Sequence, residues 1–270
     1  MARHRPHQSA ARLPWWLFAL GLLGVLTLWA IVADAGYTAI FTTLSKGVVT
    51  TLWVTGVSFA LAMALGLVLA MMRTSGNAIL VQVSTFYVEL MRGIPILVAL
   101  FYIAFAGAPG IVRGLNTVLG PLIEQGWIEA LTVRNFDFTW RAILALSLCY
   151  AAFIAEIMRA GIEAVAKGQL EAARSLGLTR AQTFRLVVAP QAFRTVLPPL
   201  ANDFVSMVKD SALVSALGVQ DITQLGKVYS SGTFKFFETY NVVAFLYLVL
   251  TISLSLGVRL IEQRLGRAGR

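Results

Sequence analysis

The sequence predicts an all-α protein that crosses a membrane several times. Hydrophobic residues make up 58% of the 270 residues and charged residues only 13%, about half the charged fraction of a typical soluble domain. A hydrocarbon core about 30 Å thick needs about 20 apolar helical residues to cross it, and six stretches reach that length. The predicted spans are residues 14–33, 47–72, 79–107, 140–159, 195–217 and 240–260.

The first and third spans need separate justification. Basic residues precede the span 14–33, as in a signal peptide, but its apolar length and the lack of a small-residue cleavage site favour a retained helix. The third span contains Gly93-Ile94-Pro95, where the missing backbone donor of Pro95 predicts a kink. The segment 108–138 contains too many Gly and Pro residues to span, so we interpret it as an interfacial or docking element.

The distribution of Lys and Arg orients the chain. With a cytoplasmic N-terminus, the inside segments contain fourteen basic residues and the outside segments contain five. Basic loops are retained in the cytoplasm, so both termini are predicted to be cytoplasmic. The same rule explains the net charge of +9 without a nucleic-acid partner. The inside segments are residues 1–13, 73–78, 159–194 and the tail from 259.

The supply of reactive side chains excludes several functions. Cys149 is the single cysteine and lies in an apolar run, while His4 and His7 lie in the N-terminal tail. These positions argue against a disulfide framework, a thiolate zinc site and histidine-based catalysis. The sequence also lacks a G-x-x-x-x-G-K-[ST] phosphate loop, so we expect this chain to bind no cofactor and to hydrolyse no ATP itself.

Residues 168–190, GQLEAARSLGLTRAQTFRLVVAP, form a polar stretch between two apolar segments. Gly168 is placed to cap a short helix, in which Glu171 and Arg174 are spaced to form a pair. Gly177 follows as a left-handed helix stop, with Leu178 in the position of the accompanying hydrophobic contact.

A second short helix is predicted directly after that stop. Thr179 and Gln182 have the spacing of a capping box, and Pro190 is expected to end the helix. Ala172 and Ala173 are expected to be exposed and to form a small, smooth knob. We therefore predict two short helices set at an angle on the cytoplasmic side.

The string EAARSLGLTRAQTFRLVVAPQAFRTVLPPLANDFVSMVKDSALVSALGVQDI, which begins at Glu171, resembles the EAA region of permease subunits of bacterial ABC importers. The similarity is to the branch for polar amino acids that includes the histidine and glutamine permeases. Further matching strings are ELMRGIPILVALFY at 89–102, YAAFIAEIMRAGIEAVAKGQ at 150–169 and TTLWVTGVSFALAMALGLVLAMMRTS at 50–75. The resemblance covers residues 47–263.

The resemblance implies a domain organisation and a coupling role. It implies a five-helix permease core at 47–263, an extra N-terminal helix within residues 1–46 and a basic tail at 264–270, which gives six spans in total. Its cytoplasmic loop at about 160–190 is the element that docks on a separate ATPase. The residues expected in this coupling role are Gln169, Glu171, Ala172, Ala173, Gly177, Thr179 and Gln182.

The resemblance also implies partners and a location. ATP and magnesium would be bound by a dimer of ATP-binding subunits, and a second copy or a sister permease would complete the pore. A periplasmic or surface amino-acid-binding protein would deliver the small-molecule substrate, a polar amino acid or an opine. The expected location is the lipid bilayer of the bacterial cytoplasmic (inner) membrane, with transport by alternating access. The particular amino acid, and whether the pore is homodimeric, stay open.

Polar side chains inside the spans are candidates for the translocation path, because intramembrane ionisable groups usually face a cavity or a partner. In the span 195–217, five of them fall within an arc of about 120° on a helical wheel. Two hypotheses stay open for this arc: a buried network of Lys209 with an aspartate that fixes packing, or a wall of a polar path. The five residues are Asn202, Asp203, Ser206, Lys209 and Asp210.

Two further charged residues are assigned to the path. Glu156 is expected near the inner end of its helix, paired with Arg159 one turn on. Arg92 lies beside the break formed by Gly93 and Pro95 and is expected at the lower mouth of the pore. Two alternative functions use the same groups: an intramembrane enzyme with Glu156 and the aspartates as acids or bases, and an ion channel with the charged side chains in its filter.

Overall fold

The structure is a computed structural model that describes residues 15–267 and contains only helices in that range. The predicted tail 1–13 and the last three residues of the chain lie outside the described residues. The α-helices are α1 (Trp15–Ala33), α2 (Ala35–Leu44), α3 (Lys46–Arg73), α4 (Ala78–Gly93), α5 (Ile96–Tyr102), α6 (Ala108–Glu124), α7 (Phe138–Glu163), α8 (Lys167–Ser175), α9 (Arg180–Thr183), α10 (Ala189–Asp210), α11 (Ile222–Thr233) and α12 (Phe236–Arg267).

Helix α7 is the centre of the bundle and packs along α3. Gly66 of α3 lies so close to α7 that an added Cβ would stand 2.7 Å from Ile154 Cγ2. Ser147 Oγ of α7 donates to the Ser58 carbonyl of α3 at 3.2 Å. Small residues at such a crossing let two helix backbones approach closely. The buried alanines of α7 are Ala142, Ala145, Ala151, Ala152 and Ala155.

A second layer of α1, α2, α11 and α12 covers one side of this pair. Asp221 is fully buried and caps α11, accepting hydrogen bonds from the Gln224 N–H at 2.7 Å and from the Tyr247 hydroxyl of α12 at 3.0 Å. Burial raises the pKa of the Asp221 carboxyl, and these hydrogen bonds act in the opposite direction. Helix α11 fills most of the segment between the last two predicted spans.

The structure tests the predicted spans only in part. Within residues 15–267, four helical segments are long and apolar enough to cross a membrane: Ala35–Arg73, Ile96–Glu124, Phe138–Glu163 and Phe236–Leu260. Helix α1 is apolar along its 19 residues, whereas α10 carries a polar face. The number of spans, the orientation of the termini and the domain boundaries stay predictions.

The predicted kink at Pro95 is a complete break. Helix α4 ends at Gly93, and both Ile94 and Pro95 adopt extended backbone with ψ of 135° before α5 begins. The cause is steric, because the ring of a proline forces the residue before it out of the helical region.

Two other prolines lie inside continuous helical paths, which corrects two predictions. Residues Ile103–Gly107 and Phe184–Val188 each form a π-helical turn directly before an Ala-Pro pair. The wider turn avoids the clash of a proline ring with the carbonyl four residues earlier. Pro190 therefore does not end the second short helix, which continues as α10. The Gly and Pro residues that were expected to break up the start of the segment 108–138 lie in the continuous helix α6.

The close crossing of α3 and α7 gives a stability prediction. We expect Gly66→Ala to lower the midpoint of thermal unfolding in detergent, by the equivalent of about 1–3 kcal/mol, since the new methyl group overpacks the contact with Ile154. Gly56→Ala is the matched control on the same helix, because nothing lies within 4 Å of the position that its new methyl group would take. An unchanged midpoint for Gly66→Ala would contradict the close packing.

Candidate translocation path and coupling loop

The turn between α8 and α9 has the predicted left-handed stop. Gly177 has φ +79°, a conformation that glycine adopts without steric cost. Its N–H donates to the Arg174 carbonyl at 2.9 Å, and the Leu178 N–H donates to the Ala173 carbonyl at 3.1 Å. These two bonds are those of a Schellman motif, which satisfies the last carbonyls of α8.

Two further contacts fix the bend. The predicted capping box is present, since Thr179 Oγ1 accepts from the Gln182 N–H at 3.3 Å and Gln182 Oε1 accepts from the Thr179 N–H at 2.9 Å. Gln191 Nε2 of α10 donates to Gln169 Oε1 of α8 at 2.6 Å. Gln191 was missed from the sequence, because a contact between two helices leaves no local pattern. The bend is therefore tied at both helix ends and to α10.

Three details of the predicted loop are wrong. Helix α8 begins after Ala166 with no side-chain cap, so Gly168 is not the cap. Glu171 and Arg174 form no ion pair, although both are exposed. Ala173 is only 3% exposed, because α8 packs one face against the π-helical turn after α9, and only Ala172 of the predicted knob is exposed.

The tip of the bend carries an apolar side chain that sequence reasoning missed. Leu176 is 81% exposed and directly precedes the left-handed glycine. Its neighbours Glu171 and Ala172 are also exposed. The bend between α8 and α9 thus presents a large apolar side chain on a rigid turn.

The polar arc lies on α10, but its charges do not neutralise one another. No ion pair forms between Lys209 and either Asp203 or Asp210, so the predicted bond between Lys209 and an aspartate is absent, and the role of the arc stays a prediction. Lys209 and Asn202 are exposed, and Ser206 is half-buried. Asp210 turns towards α7, where it accepts a hydrogen bond from the Tyr150 hydroxyl at 2.7 Å. Asp203 has one buried carboxylate oxygen, Oδ2, without a hydrogen-bond partner.

Two neighbouring aromatic side chains on α7 each contact one predicted path residue. The Tyr150 and Phe153 rings are 5.8 Å apart at 52°, and the Arg92 guanidinium lies 5.8 Å from the Phe153 ring. Arg92, beside the break between α4 and α5, therefore meets the same aromatic pair that holds Asp210. Tyr150 and Phe153 were not predicted as site residues, although they lie three residues apart on one helix face.

Glu156 lies in a chain of ion pairs at the end of α7 that leads into α8. Arg159 donates to Glu156 Oε2 from Nη2 at 2.8 Å and from Nε at 3.1 Å, which confirms the predicted pair. Arg73, at the end of α3, binds the other Glu156 oxygen. Arg159 Nη1 also donates to Glu163 Oε2 at 2.5 Å. The chain of ion pairs ties α3 to the end of α7 that leads into α8.

A bundle of apolar helices with one polar helix face and a rigid bend at one end has the architecture of a transporter's membrane subunit. Residues 62–267 match the model of the binding-protein-dependent transport system inner membrane component family. The chain belongs to this family, which confirms the relationship predicted from the EAA string.

Relatives and solved structures agree with this membership. The chain is 36% identical to the probable amino-acid permease protein YxeN of Bacillus subtilis (strain 168), over 85% of this chain and 94% of that protein. It is 32% identical to the glutamine transport system permease protein GlnP of Escherichia coli (strain K12), over 82% and 92%.

Two solved structures share the fold. The crystal structure of an amino acid ABC transporter with histidines has a TM-score of 0.69 and 34% identity, covering 87% of this chain and 98% of the other. An inward-facing structure of the MetNI methionine ABC transporter has a TM-score of 0.63 over 83% of this chain and 96% of the other, and at 22% identity it shows the fold alone.

The ion-pair chain gives a second prediction. Glu156→Gln leaves Arg73 and Arg159 partly buried without their shared carboxylate, so we expect a loss of about 1–3 kcal/mol, seen as a lower midpoint of thermal unfolding. Glu163→Gln is the control, since the Glu163 side chain is 53% exposed and its pair with Arg159 should contribute under about 1 kcal/mol. Equal effects of the two variants would contradict the assignment.

Proposed function

We propose that this chain is the pore-forming permease subunit of an ATP-driven importer of polar amino acids, located in a bacterial inner membrane. Membership of the permease family supports the subunit's class, and relatives and a structural neighbour named for amino acids support the substrate class. ATP and magnesium belong to separate ATP-binding subunits in this proposal, and a binding protein delivers the amino acid.

The observation that carries the coupling proposal is the bend between α8 and α9. A Schellman motif and a capping box stand back to back, so the turn resists deformation. Its tip presents Leu176, a large exposed apolar side chain, and covering it in a groove of a partner would remove apolar area from water. Movement of an ATPase groove around this tip would be passed to α7 and α10, to which the loop is joined.

Gly177→Ala tests this coupling. The new side chain is strained at φ +79°, so we expect the turn to distort and the ATPase stimulation by loaded binding protein to fall at least several-fold in the reconstituted complex. Gly168→Ala is the matched control on α8, because its backbone is ordinary and nothing lies within 4 Å of the position of its Cβ. Normal stimulation by an assembled Gly177→Ala complex would refute the coupling role.

The polar face of α10 is the proposed wall of the translocation path. A charged side chain facing lipid at the bilayer centre costs about 2.5–3.5 kcal/mol on insertion scales, so exposed Lys209 is expected to face a water-filled cavity. Because this face is open in a single chain, a second permease subunit is expected to close the path on the other side. Lys209, Asp203 and Asp210 offer both signs of charge to a zwitterionic amino acid.

Tyr150→Phe tests the path. Removing the hydroxyl frees Asp210 from its fixed position, so we expect uptake to fall about tenfold, equivalent to a charged hydrogen bond of about 1.5 kcal/mol. Tyr87→Phe is the matched control, since the Tyr87 hydroxyl also makes one internal hydrogen bond, at 2.8 Å, but to the backbone carbonyl of Leu148.

The comparison of the two variants separates path from packing. Uptake of a panel of labelled amino acids is measured at equal amounts of assembled complex. If both phenylalanine variants transport at the same rate, the Tyr150–Asp210 bond serves packing alone.

A further inference from the structure

Helix α6 leaves the bundle at the end of α7 that is opposite the coupling loop. The Phe105 ring lies 5.9 Å from the Phe138 ring, which places the start of α6 level with the start of α7. With 17 residues, α6 is about 25 Å long, at 1.5 Å per residue. Its main contacts are with the π-helical turn before it and with residues 133–135. Most of its length is therefore uncovered by this chain.

A buried arginine fixes the base of α6. The Ala108 N–H bonds the Ile103 carbonyl and Pro109 has no N–H, so the Ala104 carbonyl is left without a donor from the next turn of the helix. Arg141 Nη1 donates to that carbonyl at 3.4 Å. Arg141 is 8% exposed, and its guanidinium also lies 4.6 Å from the Phe138 ring.

The same arginine holds the chain that returns from α6. Arg141 donates to the Phe136 carbonyl at 2.6 Å and to the Val133 carbonyl at 2.7 Å. Further along, Asn116 of α6 makes a double hydrogen bond with the Leu131 backbone, at 2.8 and 2.9 Å. These bonds fix the rotation of α6 about its own axis, so the face that it turns outward is determined.

That rotation gives α6 three distinct faces. One face packs on the protein through Val112, which is 7% exposed. A polar face about 150° from the apolar one carries exposed charged and hydroxyl groups. The apolar face is a stripe within about 60° of arc, whose side chains are 40–77% exposed. The stripe consists of Ile111, Leu115, Val118 and Leu122, and the polar face of Arg113, Thr117 and Glu124.

The arrangement of these faces fits a membrane surface. A helix with an apolar stripe on one side and charges on the other lies in the interface plane with its stripe among the acyl chains. Val98 of α5 and Phe105 of the π-helical turn before α6 are also exposed to the outside of the bundle. Tyr102 and Trp127, 71% and 76% exposed, stand before and after α6, as aromatic side chains do at the level of the headgroups.

A protein partner fits the stripe less well. Four side chains offer much less than the roughly 800 Å² per partner of a standard protein interface. A leaflet of lipid needs no such minimum area, because it also covers the exposed apolar side chains of the neighbouring helices.

We propose that α6 is an interfacial helix, with its stripe (Ile111, Leu115, Val118 and Leu122) inserted into one leaflet of the bilayer and Arg141 positioning it there. This role is separate from the coupling and transport roles. In the proposed topology the leaflet is the outer one. The motif would hold the end of α7 at a constant depth while the opposite end is moved.

Spin labels on neighbouring residues test the proposal. In a Cys149→Ala background, Val118→Cys and Thr117→Cys each provide a single site, on the stripe and on the polar face respectively. The full transporter complex is placed in liposomes of phosphatidylethanolamine and phosphatidylglycerol, without nucleotide. We expect the Val118 label to collide preferentially with oxygen, at a depth of about 5–10 Å below the headgroups, and the Thr117 label preferentially with a water-soluble nickel chelate.

Two results would overturn the proposal. Equal exposure of both labels to the nickel chelate would show that α6 projects into water. Shielding of the Val118 label from both reagents would show that a protein covers the stripe. Arg141→Met tests whether Arg141 positions α6, and we expect the Val118 label to lose its preference for oxygen in this variant. If the variant fails to assemble, the two labels with Arg141 intact still test the proposal. None of these readouts depends on ATP hydrolysis or uptake.

Discussion

The close packing of α7 against α3 is the contact on which the rest of the molecule depends. Gly66 and the alanines of α7 let the two backbones approach, and serine hydroxyls bond across the contact. The groups that hold the site together lie along α7: Arg141 at one end, Tyr150 in the middle and Glu156 at the other end. A displacement of α7 relative to α3 would therefore move α10, which carries the polar face, and α6 together.

Unpaired polar groups are the second constraint, because lipid offers them no partner. The chain accommodates the backbone carbonyls left without a donor in different ways at Pro95 and Pro109. At Pro95 the helix stops and restarts, whereas at Pro109 a π-helical turn lets the helix continue and a distant arginine takes the freed carbonyl. Asp203 Oδ2, on the polar face of α10, is buried without a hydrogen-bond partner in a single chain.

Local patterns predicted local structure well. Hydrophobic length indicated the apolar helices, and the spacing of Gly177, Thr179 and Gln182 indicated the turn, since each of these features depends on a few neighbouring residues. The Gly and Pro content of residues 108–138 wrongly indicated a broken segment, because a count of helix-breaking residues does not show that a π-helical turn can accommodate Pro109. The missed site residues share a different cause. Tyr150 meets Asp210 across 60 residues of sequence, and Arg73 meets Glu156 across 83. Such pairs are created by the crossing of helices, and no spacing within one segment records them.

The exposed tip at Leu176 has a consequence for the life of the chain before assembly. In the proposed complex this side chain is covered by the ATPase. A subunit that reaches the membrane alone therefore exposes an apolar side chain to the cytosol on a rigid turn. Chaperones and proteases recognise surfaces of that kind. The amount of permease in the membrane would then follow the amount of ATPase subunit, without a separate regulator of permease degradation.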